Sequence, residues 1–519
     1  MSDTIRSLII RCAKAYATRI YLIDPDSDLT MTYEQLRSFC QEFGRMMWHA
    51  GFTEPTKVGF MLENGHWTTI VCLGTMYSGH VIVPLNVVAS RRNLLFALTN
   101  AGVEVVFVSE RYRPLLDSLL DELDKDIQIV DVDTTTGFQM PVTNPGSDNF
   151  RSHRIKSESA AMILHTSGTV GLPKGAVLKH SNLIAGGDNV KKAHWLSLDD
   201  IAYCVLPLYH INGLVVTAIS PIISGSRVVM PRKFSVSKFC THIDEYKCTW
   251  VSLVPTMAKY ILDELRDSKD DARLRAQVAS LRFVRSASSS MPSGMHEDFE
   301  EIFGVPMIET MGLTETSAPI LANRMPLGIR KPGSVGRPCG TEVKIISNEQ
   351  KTLGNNEIGE IVVRGPNVFS EYFNAPYETL TSFTHDGWFR TGDLGFYDQD
   401  NYFFVTGRIK ELIIKGGENI SPREVDDVLY HHDSVKEAGA FGLPDDTYGQ
   451  IVAVGVVLKA NHTCSEEELI EFCRKELGDF RCPSKIFFTD DLPKGPSGKI
   501  QRLEFAKSVT ENMDKDTGV

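Results

Sequence analysis

Residues 164–177 read LHTSGTVGLPKGAV, an apolar strand running straight into three glycines, two threonines, a serine and a lysine. Glycines let a backbone turn several N–H groups towards one point, and hydroxyls with an ammonium beside them complete a seat for a polyphosphate. Thr166, Ser167, Gly168, Thr169, Gly171 and Lys174 supply such a set. The spacing departs from the Walker A pattern, in which Gly-Lys-Ser/Thr opens a helix. Here Pro173 precedes Lys174 and Gly175 follows it. The stretch therefore reads as a different phosphate loop or as a plain turn, and the rest of the chain has to decide.

On either side of this loop the sequence alternates. In MTYEQLRSFCQEFGRMMWHAGF the apolar residues Leu36, Phe39, Cys40, Phe43 and Met47 fall at helical spacing, and Thr32 with Gln35 makes a capping-box signature. Short β-rich runs follow at KVGFML, VIVPLN and VEVVFVS, and again at DIAYCVLPLYH, SRVVMP, TWVSLVP and LRFVRSASSSMP, with room for helices between them. That rhythm predicts an α/β fold of mostly parallel sheets covered by helices, with ligands collecting outside the carboxyl ends of the strands. From GEIVVRG onward the texture becomes short strands with turns, a β-rich subdomain. After GRIKELIIKGGENISPREVDDVL a new alternation begins, with strands at VKEAGAFGLP, IVAVGVVLKA and KIFFTD and a helix at SEEELIEFCRKEL. The expected organisation is a large domain over residues 1–409 and a small α+β domain over 410–519.

At 519 residues the chain is too long for one core, which agrees with that division. A net charge of −12 speaks against a general nucleic-acid binder, because phosphate backbones need a basic surface. The ten cysteines stand singly with no C-x-x-C, so neither a zinc framework nor a disulfide ladder is implied. No apolar run approaches the roughly 18 residues of a membrane helix, and the N-terminal stretch lacks a signal-peptide core. The expected compartment is the cytoplasm. Oligomeric state is not legible.

Seven motifs stand in one order: TSGTVGLPKG, LPLYHING, SASSSMP, ETMGLTET, FRTGDLG, GRIKELIIKGGENISPREVD and PSGKIQR. In these the chain resembles, over nearly its whole length, the acyl-adenylate-forming enzymes: acyl-CoA synthetases, stand-alone adenylation domains and beetle luciferases. Its texture is most similar to acid:CoA ligases of the oxalate and carnitine/crotonobetaine types. The resemblance implies ATP, Mg²⁺ and CoA as reaction partners and a carboxylic acid as substrate, guessed by likeness to be small and polar. A carboxylate attacks the α-phosphorus of ATP to give an acyl adenylate and pyrophosphate, and a thiolate then displaces AMP. Both steps concentrate negative charge, which calls for cations and preorganised donors.

Carried over motif by motif, the glycine loop with Lys174 would hold the β- and γ-phosphates. Thr314 would meet a phosphate oxygen and Glu315 the magnesium ion. Ser288 in the serine cluster, with Glu309, Thr310 and Met311, would line the nucleotide and substrate site. Met311 stands where the family usually has an aromatic residue, which puts one adenine contact in doubt. Asp393 and Arg408 match ribose-binding positions, and His210 is placed beside the substrate carboxyl as a positioning or gating group. Lys499 would bridge carboxylate and α-phosphate during adenylation. Lys410 matches a hinge about which the small domain turns between the two steps, bringing Gly416 and Gly417 towards the thiol. Two competitors remain: adenylation followed by loading of a carrier-protein thiol, and a nucleotide-binding regulator without turnover. YHINGL offers no aspartate for an amino-acid ammonium, and a regulator needs neither a magnesium carboxylate nor a reaching lysine.

Overall fold

The computed structural model describes residues 3–123, 126–143, 153–166, 173–265, 271–289, 291, 293–323, 325, 330–495 and 499–517. Two large sheets dominate the first two thirds of the chain. One has nine strands and the other eight, and the middle of each is parallel with antiparallel strands at its margins. The runs KVGFML, VIVPLN and VEVVFVS form the neighbouring strands Lys57–Met61, Val81–Pro84 and Val105–Ser109. Their near-continuous Val/Ile content is what a strand buried on both faces requires.

Between the sheets lies the main core, and the helix Tyr33–His49 shows why it forms. Thr32 caps the helix by accepting from Gln35 N at 3.2 Å, and the Gln35 side chain accepts from Thr32 N at 2.8 Å. Its stripe of Leu36, Cys40, Phe43 and Met47 is buried, with Phe39 packed against the same core. Phe43 comes so close to Gly74 of the helix His66–Ser78 that a Cβ there would sit 2.7 Å from its ring.

A four-stranded antiparallel sheet follows, made of Glu342–Ile346, Gly359–Arg364, Phe389–Tyr397 and Phe403–Arg408. From Ile413 onward the chain builds a further five-stranded sheet with its own core, including Ile413, Val425, Leu429, Val454 and Leu469. Among the described residues no helix is long and apolar enough to cross a membrane.

One buried charge cluster ties the helix Ser293–Phe303 to the strand Met307–Leu313. His296 hydrogen-bonds Glu309 through Nδ1 and Glu300 through Nε2, both at 3.2 Å, and Arg330 pairs with Glu300. Burial alone would lower the His296 imidazole, but the two carboxylates win and push it up to about 9. Folded His296 thus holds its proton more tightly than the unfolded chain does. This stabilisation is complete below about pH 6.5 and is lost as pH rises through about 9, at roughly 1.4 kcal/mol per pH unit in that window. Urea unfolding across pH 6.5–9 should show the decline, and His296→Gln should flatten it.

Candidate active site

The site begins with a cross-strand ion pair. Asp393 and Arg408 stand opposite each other on the strands Phe389–Tyr397 and Phe403–Arg408, so the antiparallel register alone brings Arg408 Nε within 2.8 Å of Asp393 Oδ1. Burial pushes the Asp393 carboxyl up, while Arg408 and Lys499 pull it back. The Asp393 carboxylate in turn is the main reason that the guanidinium of Arg408 is held above its ordinary value.

Beside this pair opens a cavity of about 260 Å³. Ser288, Glu309, Thr310 and Met311 line it from the ends of the nine-stranded sheet, and Asp393, Arg408 and Lys499 from the other side. Ser288 holds a φ of +75°, a left-handed conformation uncommon for a residue with a side chain and one that collects at functional sites. Glu309 is committed locally: its Oε1 accepts from Gly333 N at 2.9 Å as well as meeting His296.

Lys499 lines the cavity, and Gly495 N donates to its carbonyl oxygen at 2.7 Å. Its ammonium donates to Glu411 Oε1 at 2.8 Å, and burial, followed by repulsion from Arg408, lowers its pKa. Arg502 lies 3.6 Å from the other Glu411 oxygen and pairs with buried Asp426. Glu411 therefore anchors the lysine. It follows Lys410 in the GRIKE motif, where sequence reading gave it no role.

A second set of expected residues adjoins the cavity without lining it. Glu315 is buried, and its carboxyl rises through burial against the pull of Tyr372, Arg408 and Lys174. Tyr372 Oη donates to Glu315 Oε1 at 2.7 Å, and the Lys174 ammonium lies 5.0 Å from the centre of the Tyr372 ring. The sheet makes this possible, since Glu371–Tyr372 pairs with Lys174–Lys179 and sets Tyr372 opposite Ala176. Thr166 ends the preceding strand, its hydroxyl 3.4 Å from Lys174 O, and Thr314 opens the single helical turn that carries Glu315. Ser167, Gly168, Thr169 and Gly171 lie outside the described residues.

His210 is held by its backbone. Asn64 clamps the loop before it, donating to Leu206 O and accepting from Leu208 N, both at 2.9 Å. The helix that starts at Asn212 presses on the same loop, and a Cβ at Gly213 would stand only 2.1 Å from Pro207 O. Burial lowers the His210 imidazole to about 4, so the ring is neutral at pH 7, and its Nε2 has no partner among the described residues. Gly416 and Gly417 have φ of +57° and +86° and form the two-residue turn between Ile413–Lys415 and Glu418–Ile420. They lie outside the cavity wall. Lys410 sits in one turn of 3₁₀ helix, Ile409–Glu411.

The family described as AMP-binding enzyme matches residues 10–373, and the AMP-binding enzyme C-terminal domain matches residues 424–499. The chain belongs to the AMP-binding enzyme family. It is 40% identical over 504 residues to a sulfoacetate–CoA ligase of Cupriavidus necator, covering 97% of each chain. It is 33% identical over 521 residues to an oxalate–CoA ligase of Arabidopsis thaliana, covering 98% of this chain and 99% of the other. Among solved structures, the O-succinylbenzoate coenzyme A synthetase of Bacillus subtilis in complex with ATP and magnesium ion superposes with a TM-score of 0.82 at 27% identity, over 97% of this AMP-binding enzyme and 99% of that chain. The expected resemblance to oxalate-type ligases is thereby borne out.

The Tyr372–Glu315 contact generates a test. Tyr372→Phe removes the one donor that the Glu315 carboxylate receives from a side chain among the described residues. Stability should fall by about 1.5–3 kcal/mol, the range for hydrogen bonds to charged groups. Urea unfolding measures it, and an unchanged midpoint would show that the carboxylate is held by other means.

Proposed function

We infer that this AMP-binding enzyme is an ATP-dependent acid–CoA ligase acting on a small polar carboxylic acid. It is an AMP-forming acid–thiol ligase, with ATP, Mg²⁺ and CoA as reaction partners. The acid activation needs positive charge beside the α-phosphate and a shaped recess for the nucleotide. The observation that carries the reading is the meeting of Lys499, Arg408 and Asp393 on one cavity that Ser288, Thr310 and Met311 also line. The relatives named above act on sulfoacetate, oxalate and O-succinylbenzoate, which supports a polar acid; each is an acid with a second anionic group.

In the first half-reaction the acid's carboxylate attacks the α-phosphorus and pyrophosphate leaves. Lys499 neutralises charge on both reactants, and its grip on Glu411 keeps it aimed until they arrive. Asp393 accepts from the ribose hydroxyls while Arg408 orients it. Lys174 and Thr166 attend the outgoing phosphates, and the neutral His210 positions the acid. Glu315 and the phosphate oxygens fit a magnesium ion: the buried carboxylate has Tyr372 as its one side-chain donor among the described residues, and oxygen ligands are what this hard ion takes. When bound, Mg²⁺ draws charge from the phosphates and so eases attack at phosphorus. In the second half-reaction the thiolate of CoA attacks the acyl carbon and AMP leaves. Rotation of a unit comprising residues 410–519 about Lys410 would withdraw Lys499 and bring Gly416 and Gly417 to the thiol.

Two variants test this from opposite sides. Lys499→Ala should cut ATP–pyrophosphate exchange by about 100-fold or more while leaving thioester formation from a supplied acyl adenylate nearly intact. Lys410→Pro should keep the exchange and lose the thioester step, because proline fixes φ near −65°, a value a 3₁₀ turn accepts and a rotation does not. Equal losses in both half-reactions for either variant would remove the division of labour. Glu315→Gln should weaken turnover and raise the Mg²⁺ concentration required, and full activity in excess chelator would end the metal assignment.

A further inference from the structure

Among the described residues Arg285 is a buried cation without a counter-charge. It stands on the strand Phe283–Ser286, inside the nine-stranded sheet, and is 2% exposed. Its Nη1 donates to Asn212 Oδ1 at 2.7 Å and to Ser252 Oγ at 2.8 Å, and Ser252 Oγ donates to the same Asn212 oxygen at 3.0 Å. Every acceptor is neutral. Three other guanidinium groups of this protein have carboxylates: Arg282 has Asp200, Arg408 has Asp393 and Arg502 has Asp426. Arg285 has none among the described residues. The titratable groups beside it, His194 and Cys339, do not repair the deficit, since burial keeps the imidazole neutral and raises the thiol to about 12.

A guanidinium cannot shed its proton to escape this situation, as a buried lysine or histidine can. Folding has therefore left a permanent charge in the interior, where unpaired charges are among the most expensive things a protein can bury. Two polar atoms in the same cluster share the condition. Arg285 Nε and Asn212 Nδ2 are buried donors with no acceptor among the described residues. A set of satisfied neutral acceptors on one side and orphaned donors on the other is what an interior looks like when an anion completes it.

Its position ties the cluster to the acid. Asn212 lies two residues beyond His210, at the start of the helix Asn212–Ile219, and His210 Nε2 likewise has no partner among the described residues. Ser286, the residue after Arg285, lines the nucleotide cavity. Arg285 and Ser252 sit at the carboxyl ends of adjacent parallel strands, the place where open α/β sheets receive ligands.

We propose that Arg285, held in place by Asn212 and Ser252, receives a second anionic group carried by the acid substrate, so that the enzyme selects short acids bearing two anionic ends over monoacids of the same length. The inference rests on the acid–CoA ligase reading. A carboxylate or sulfonate supplies the several acceptors that the orphaned donors lack, and it neutralises the guanidinium in a dry setting where such a pair is strongest.

The test compares wild type with Arg285→Met and Arg285→Lys, using matched acids: sulfoacetate, oxalate, malonate and succinate against acetate, propionate and butyrate. In ATP–pyrophosphate exchange, wild type should favour at least one two-anion acid over its matched monoacid by about 100-fold or more in kcat/KM. Arg285→Met should lose most of that preference through KM for the acid, with KM for ATP unchanged, and Arg285→Lys should restore part of it. The melting temperature of Arg285→Met should hold or rise, since a buried unpaired charge has been removed. A large loss of stability with acid preference unaltered would mark a structural arginine and overturn the proposal, as would a wild type that prefers monoacids throughout. Calorimetric titration of the same acids into both proteins keeps the two readings apart. If no acid supports exchange, the ligase reading fails, while binding of a two-anion acid to wild type and its loss in Arg285→Met still upholds the anion site; equal binding to both removes it.

Discussion

One ion pair sets the geometry around the cavity. Arg408 and Asp393 are opposed by strand register, so their approach at 2.8 Å costs the chain no special loop and no long-range coincidence. Lys499 stands beside it, repelled by Arg408 and attracted by Asp393. Glu411, three residues beyond Arg408, catches Lys499 from a loop 88 positions later, and Arg502 follows Lys499 into the same network. Charged groups of the strand Phe403–Arg408, of the turn Ile409–Glu411 and of Lys499 and Arg502 thus meet in one network. Such a network holds a defined arrangement and can also be undone, because its members are hydrophilic and can return to water.

The two halves of the site differ in how they are stabilised. Around Glu315 a neutral phenol and a nearby ammonium satisfy a buried carboxylate without closing a salt bridge to it among the described residues. Around Lys499 the groups that act on it, Glu411, Arg408 and Asp393, are charged. The first arrangement leaves a carboxylate with capacity for a cation, and the second leaves cations with capacity for an anion.

Much of this was legible in the sequence. The helix Tyr33–His49 declared itself by its capping box and apolar stripe, and the buried strands by unbroken β-branched runs, because both signals are local. The residues of the site came from ordered motifs and a resemblance, and Ser288, Thr310, Met311, Asp393, Arg408 and Lys499 do share one cavity. What could not be read is what depends on partners far along the chain. Tyr372 meets Glu315 across 57 positions through the pairing of an edge strand only two residues long. Glu411 lay inside a quoted motif, yet its grip on Lys499 exists only once the small sheet has formed. Arg285 was harder still, since its distinguishing property is the absence of a carboxylate, and an absence has no motif.

The contact at Gly213 bears on how such an enzyme diversifies. With only 2.1 Å between a would-be Cβ and Pro207 O, the loop that carries His210 and the helix that carries Asn212 are fused at backbone level. No resizing of that junction is open to mutation, because any side chain would drive the two segments apart and displace His210. Novelty must therefore arise at constant spacing, through the chemistry of the tips that project from a rigid frame, and exchanging one neutral or charged tip for another at positions 212 and 285 is the shortest route from one acid to the next.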